Sequence, residues 1–247
     1  MESNDVLKLM TSHRSIRAFT NKRVTKEQIE TIVSSAQWAS TSHHVQAYSV
    51  IAVEDAARKE TLADLTGGQR WVKECSVFFV ICADFSRHAS ASKQHHVSFD
   101  VGGAEQLLVG AVDAALFAQN VMLAAESLGL GGVMIGGIRN QPKEVSDLLH
   151  LPTYVFPVMG MAIGEPDSEP GQKPRLPLKA VLHQETYQSD QEDALSAYDE
   201  TMSAYYAKRT NGKRTNGWTA SMAAYTKERK RPHLDAFLKE KGFLQQE

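Results

Sequence analysis

The chain has 247 residues, of which 42% are hydrophobic and 23% charged. That is enough apolar material for one large domain or two small ones in an ordinary globular composition. A formal net charge of −2 gives the surface as a whole no strong pull on nucleic acid or an anionic membrane, so any electrostatic specialisation is local.

The opening MESNDVLKLM lacks a basic n-region and an apolar h-region and does not read as a signal peptide. Val6, Leu7, Leu9 and Met10 predict a short helix running into the next segment, HRSIR. Thr25, followed three residues later by Gln28, is a capping-box pattern, and Ile29, Ile32, Val33 and Ala36 then share one helical face. Tyr48–Val53 reads as a strand and Ala56–Leu65 as a helix ended by Gly67 and Gly68. Residues 76–83, rich in Val, Ile and Phe, read as a buried strand, and the polar stretch 89–103 as a loop. Cys75 and Cys82, taken as lying in one continuous strand, would be about 23 Å apart and on opposite faces, beyond disulfide reach. Two free thiols suggest a reducing cytoplasm.

The most apolar long stretch, 107–130, carries Asp113, Gln119, Asn120 and Glu126. It therefore predicts a buried helix, over 105–128, rather than a membrane span. Gly129 is its stop. A strand over 133–138, a small helix over 145–149 and a strand over 155–163 follow. After Gly164 the character changes. Pro166, Pro170, Pro174 and Pro177 exclude regular structure there, and two polar helices, near 192–208 and 218–228, lie beyond. There is no internal repeat. The expected class is α+β, a central sheet between helices, in a single domain over 1–247. Residues 1–165 form its core and 166–247 a Pro-rich connector and arm that wraps the same domain or a partner subunit.

Three segments carry chemistry. In HRSIR, Arg14 and Arg17 are three apart and would face one side at a helix edge. Arginine suits bidentate phosphate contact, and Ser15 adds a hydroxyl donor; taken alone, such a cluster is more often a solvated turn. The run from Leu128 to Arg139 suggests a dinucleotide fingerprint but fails as one. Counting from Gly129, the sixth position is Met134, and the run follows a helix and enters a strand. Gly136 and Gly137 can still let a flat ligand approach the backbone. Lys173-Pro174-Arg175 places two cations on a stiffened loop, suited to an anion or simply to solvent.

Other chemistries lack support. The densest histidine group, His88 with His95 and His96, has no accompanying metal-ligand pattern, and adjacent histidines in a strand would point apart. No Gly-x-Ser-x-Gly elbow is present. The basic run 227–231 lacks interleaved aromatics and reads as a solvated helix end rather than a nucleic-acid site.

Five segments occur in order: HRSIRAFT from His13, Ala39-Ser40-Thr41-Ser42 with Gln46, Thr66-Gly67-Gly68-Gln69, Ile135-Gly136-Gly137-Ile138-Arg139, and Lys173-Pro174-Arg175-Leu176-Pro177. Together they resemble the nitroreductase family of FMN enzymes, specifically its NADPH-preferring, oxygen-insensitive nitroreductase and flavin reductase type. The resemblance spans essentially the whole chain, including Tyr205-Tyr206 and Lys213-Arg214. It implies a mostly antiparallel sheet, a homodimer with one FMN per subunit at the interface, and C-terminal segments that embrace the partner.

The resemblance also implies roles. Arg14 and Ser15, with His13 beside them, would meet the FMN phosphate and ribityl chain. Arg17 and Gln69 would meet the pyrimidine edge, and Lys173 and Arg175 would complete the cationic surround. Ser40, Thr41, Ser42 and Gln46 would add polar contacts from the other subunit. Ile135, Gly136 and Gly137 would lie against the ring. No catalytic side chain is implied, because the cofactor carries the chemistry. In the implied ping-pong cycle NADPH delivers hydride to flavin N5 and leaves. Nitroaromatics, quinones or free flavin then take two electrons in its place. Arg209, Lys213 and Arg214, with Arg139 a further candidate, would hold the 2′-phosphate of NADPH, and 210–213 is expected to be a mobile loop. His43 and His44 either line the acceptor pocket or face solvent. The alternatives are a flavin reductase supplying a monooxygenase and a flavin carrier with little turnover.

Overall fold

The computed structural model describes residues 4–245; residues 1–3 of the N-terminal stretch lie outside them. The chain divides into two compact units, Met1–Pro170 with Arg231–Glu247, and Gly171–Lys230.

The first unit begins with α1 (Asp5–Ser12), whose Asn4 side chain accepts from the Leu7 amide. Helix α2 (Lys26–Ala36) carries the expected capping box, with Thr25 and Gln28 each bonding the other's backbone. Then come β1 (Tyr48–Val53), α3 (Ala56–Leu65), α4 (Arg70–Glu74), β2 (Val77–Asp84), α5 (Ser86–Gln94), α6 (Ala104–Ser127), β3 (Gly131–Ile135), α7 (Pro142–Leu148) and β4 (Val155–Gly164). The second unit holds α8 (Glu192–Arg209) and α9 (Trp218–Thr226), and α10 (Leu234–Glu240) belongs again to the first.

The four strands form one sheet in the order β1-β2-β4-β3, every pair antiparallel. This is the α+β class the sequence implied. Strand β2 is central and buried along its whole length. Its alternating side chains feed two cores. Phe79 and Ile81 join Met161, Ile163 and the inner faces of α2 and α6. Phe78, Val80 and Cys82 join Ala162, Val133 and the helices on the other side.

Several expectations need correction. The loop expected over 89–103 begins instead inside the helix α5 (Ser86–Gln94); His95 and His96 follow it and are not in a strand. The strand expected over 133–138 ends at Ile135 and passes into a 3-10 turn, Gly136–Arg139. HRSIR follows α1 instead of lying on it, since His13 is already extended; Arg14 and Arg17 are therefore not neighbours on a helix face. Helix α10 was not foreseen; it lies in the first unit, where Phe237 and Phe243 pack with Phe85 and Phe156. Cys75 caps α4 and precedes β2, so the two cysteines lie in one core cluster and not on opposite faces.

Both thiols are free and buried. Burial pushes the Cys75 thiol up to about 12 and raises Cys82 as well. Neither is therefore expected to react with a thiol-specific chromophoric reagent in native protein, whereas both should titrate in denaturant. Fast modification of the folded chain would contradict this burial.

Helix α6 is long and apolar enough to cross a membrane by length and composition, yet it packs on the sheet. Ala114, Phe117, Ala118, Val121 and Met122 are in the first core. Gly129, at φ +75°, ends it. The Gly129 amide bonds Glu126 O and the Leu130 amide bonds Ala125 O, the Schellman pattern in which glycine carries the left-handed residue.

Candidate functional site

HRSIR is anchored by its fourth residue, Ile16. Ile16 is buried, and its amide donates to Gly132 O at 2.9 Å. Gly131 makes the approach possible, since a Cβ there would lie 2.5 Å from Ile16 Cγ1. The flanking polar side chains project from this anchor. His13 Nδ1 is 2.5 Å from Glu126 Oε1 on α6, and Glu126 Oε2 is buried without a hydrogen-bond partner. Arg14 Nη1 donates to Glu169 Oε1, a carboxylate 83% exposed. A groove of about 590 Å³ runs beside them, lined by Leu9, Ser12, Arg14, Ile16, Glu126 and Glu169 among others.

Arg17 lies 5.7 Å from the ring centre of Trp71 on α4, whose N-cap is Gln69. Gln69 in turn meets the 3-10 turn after β3. A Cβ on Gly137 would fall 2.3 Å from Thr66 O and 2.6 Å from Gln69 Nε2. Gln69 Nε2 and Asn140 Nδ2 both donate to Thr66 O, at 2.8 and 3.3 Å. Three of the sequence-predicted segments are thereby joined: HRSIR to α4 through Trp71, and α4 to 136–139 through Gly137. Gly136 is the open member of the pair, its nearest Cβ neighbour being Arg139 Nη2 at 3.4 Å. Ile135 is buried. Arg139 spends one nitrogen on Val158 O.

The segment with Ser40, Thr41, Ser42 and Gln46 is held by other partners. Ser42 N and Ala47 N donate to the two oxygens of Asp113. His88 Nε2 is 2.9 Å from Val45 O, and Arg87 Nη2 donates to Gln46 O at 3.2 Å. Arg87 also binds Asp84. Burial acts to raise the Asp84 carboxyl, but hydrogen bonds from Ser49 and Ser86 and the Arg87 charge hold it below its ordinary value. His43 and His44 are exposed. A second groove, of about 640 Å³, lies here between Val45, Gln46, Tyr48, Arg87, His88 and Phe117.

In the second unit, cations gather on Tyr205 and Tyr206. Lys173 lies 5.7 Å and Arg214 3.8 Å from the Tyr206 ring centre. Arg209 donates to Tyr205 Oη at 3.0 Å. Arg175 Nη1 donates to Lys173 O, and Tyr198 Oη to Pro174 O at 2.9 Å, which fixes the Lys-Pro-Arg loop. Residues 210–213, where a loop was expected, form a turn after α8: Gly212 N bonds Ala207 O and Lys213 N bonds Thr210 O. Lys213 is exposed.

Sequence reasoning missed Glu126, Trp71, Asp113 as a ligand of the 42–47 loop, and Glu169. Trp71, two residues after Gln69, carried a positional hint; the others carried none, because their partners are remote in sequence.

Residues 10–165 match the nitroreductase family model, and residues 173–246 the model of the nitroreductase family C-terminal domain. The chain belongs to the nitroreductase family. This nitroreductase-family chain is 44% identical to an NADPH-dependent FMN reductase of Bacillus subtilis (strain 168), covering 97% of this chain and 98% of that protein. It is 46% identical to a Cr(VI) reductase of Pseudomonas sp. (strain G-1), covering 96% and 98%. Among solved structures it resembles the NfrA1 nitroreductase of B. subtilis with a TM-score of 0.94 and 43% identity, over 97% of this chain and 99% of that one.

The residues fit FMN. Arg14 lines the groove, and its partner there, Glu169, is an exposed carboxylate that another anion such as a phosphate could replace. Gly136 leaves backbone open to a flat ring.

Proposed function

We propose that this nitroreductase-family protein is an FMN-dependent oxidoreductase that takes two electrons from NADPH and passes them to small acceptors: nitroaromatics, quinones, free flavin and, as the Pseudomonas relative's name suggests, chromate. The observation that carries the reading is the joining of HRSIR, Gln69 and Gly137 beside an anion-ready arginine. Bound FMN would supply hydride acceptance and return. The chain's own task is to bind, orient and tune. Arg14 and Ser15, with His13 beside them, would hold the phosphate and ribityl chain. Arg17 would set positive charge near the pyrimidine edge, where reduction adds negative charge, and Lys173 and Arg175 would complete the cationic surround. Gln69 would pair with the edge's mixed donors and acceptors. Ile135, Gly136 and Gly137 would support the ring.

A homodimer completes this reading. Leu108, Val112 and Leu116 on α6 form an exposed apolar stripe, and Trp38 is 90% exposed; a second copy would cover them. Ser40, Thr41, Ser42 and Gln46 would then reach the partner's flavin, and Gly171–Lys230 would serve as the embracing arm. Two buried thiols suit a reducing cytoplasm.

The deciding experiment is an absorbance spectrum, followed anaerobically by one equivalent of NADPH or NADH. Flavin absorbance that bleaches rapidly, and faster with NADPH, is expected. A colourless protein that refuses added FMN would remove the reading, and flavin that binds without bleaching would make the chain a carrier. For cofactor choice, Arg209→Ala is expected to raise KM for NADPH several-fold more than KM for NADH in steady-state assays, with Arg214, Lys213 and Arg139 as the other candidates for the 2′-phosphate. Equal changes for both cofactors would remove Arg209 from that role.

A further inference from the structure

Asp113 lies mid-helix on α6, among alanines, valines and leucines, and its exposure is 0%. A buried carboxylate is unfavourable unless its oxygens are bonded. Here each oxygen takes one backbone amide, Ser42 N at 3.1 Å and Ala47 N at 3.0 Å. Those amides are the two ends of one loop. Between them His43, His44 and Gln46 all have left-handed backbone, at φ 46°, 59° and 52°. Three such non-glycine residues in four positions are a strained conformation that persists only when its surroundings over-determine it. The His88 bond to Val45 O and the Arg87 bond to Gln46 O add two further fixed points from α5.

We infer that Asp113 is a positioning residue: it clamps both ends of the strained 42–47 loop and so sets the aim of Ser42 and Gln46 toward bound flavin. The inference rests on the proposed place of that loop in the flavin site. It assigns a role to the fully buried charged residue of a mostly apolar helix. One face of α6 builds the core and the opposite face carries the exposed stripe, while Asp113 converts the same rigid helix into a template for a loop 66 to 71 residues away in sequence. Helix rigidity is what lets a contact outside the cofactor's own shell hold a binding geometry.

The test uses FMN-loaded protein. FMN affinity is measured by flavin fluorescence titration, and visible circular dichroism of the bound flavin reports its surroundings. Asp113→Asn, which replaces one acceptor by a donor facing an amide donor, is expected to weaken FMN binding by about tenfold, the scale of one lost charge-assisted hydrogen bond, and to alter the flavin dichroism. Ser42→Pro and Ser42→Ala form a second pair. Both lose the hydroxyl, but only proline loses the amide that Asp113 receives, at the first position of a 3-10 turn where proline fits. Ser42→Pro is expected to bind FMN several-fold more weakly than Ser42→Ala. This pair leaves the α6 core untouched and decides the matter if Asp113→Asn does not accumulate as folded protein. Equal affinities for the two Ser42 variants, or wild-type dichroism and affinity in Asp113→Asn, would overturn the inference while wild-type protein still takes up FMN. Failure of the wild type itself to bind FMN would bring down the flavin reading and this inference together.

Discussion

Arg14→Ala is expected to weaken FMN binding by roughly 10- to 100-fold while leaving the folded state nearly as stable as before. The asymmetry follows from where the guanidinium sits. In the protein alone it meets Glu169, a carboxylate on the surface, and exposed ion pairs add little to stability. Against a phosphate the same fork makes charge-assisted, bidentate hydrogen bonds, worth about 1.5–3 kcal/mol when bonding a charged group. Fluorescence titration of the apoprotein at low and moderate salt checks both halves, since the lost contact should also flatten the salt dependence. Arg14→Lys should recover only part of the affinity, because an ammonium is a point charge without the planar fork. Binding within twofold of wild type in Arg14→Ala would move the phosphate away from HRSIR.

Gly137→Ala is expected to lower stability by about 1–3 kcal/mol, the usual cost of forcing atoms into a packed site, and to lower the FMN content of purified protein. A Cβ at this position meets the Thr66 carbonyl at 2.3 Å and the Gln69 amide at 2.6 Å. The first obstacle is backbone and cannot swing away. Either the turn after β3 or the 66–69 segment that links α3 to α4 must shift, and each carries a proposed flavin contact. Gly136→Ala is the control: its Cβ has 3.4 Å to its nearest neighbour, the far end of the Arg139 side chain, so the fold should tolerate it. Thermal unfolding together with the ratio of flavin to protein absorbance measures both effects. If Gly137→Ala unfolds at the wild-type temperature with full flavin content, the two segments are not as closely joined as their geometry requires.

What was legible in the sequence was local. The Thr25–Gln28 box, the length of β1 and of α3, and the glycine stop of α6 each depend on hydrogen bonds or periodicity spanning about four residues, and each is present in the structure. The ordered motifs were equally legible, and they identified the family. The errors occurred where a local pattern was weak. Residues 86–94 have few apolar residues to mark a face, and α10 is only seven residues long.

The partners were decided by tertiary structure alone. Glu126 lies 113 residues from His13 and Glu169 lies 155 from Arg14. Cys75 and Cys82 share a core because the chain turns between α4 and β2. Asp113 reads in sequence only as a reason to reject a membrane span, yet in the fold it receives both ends of a strained loop. The physical reason is common to all of these. Residue type and spacing determine which groups can donate, accept or bury themselves, and those choices are made within a turn or a strand. Which remote group satisfies a buried carboxylate or an exposed arginine depends on how the sheet and helices bring distant segments together, and no local pattern records that.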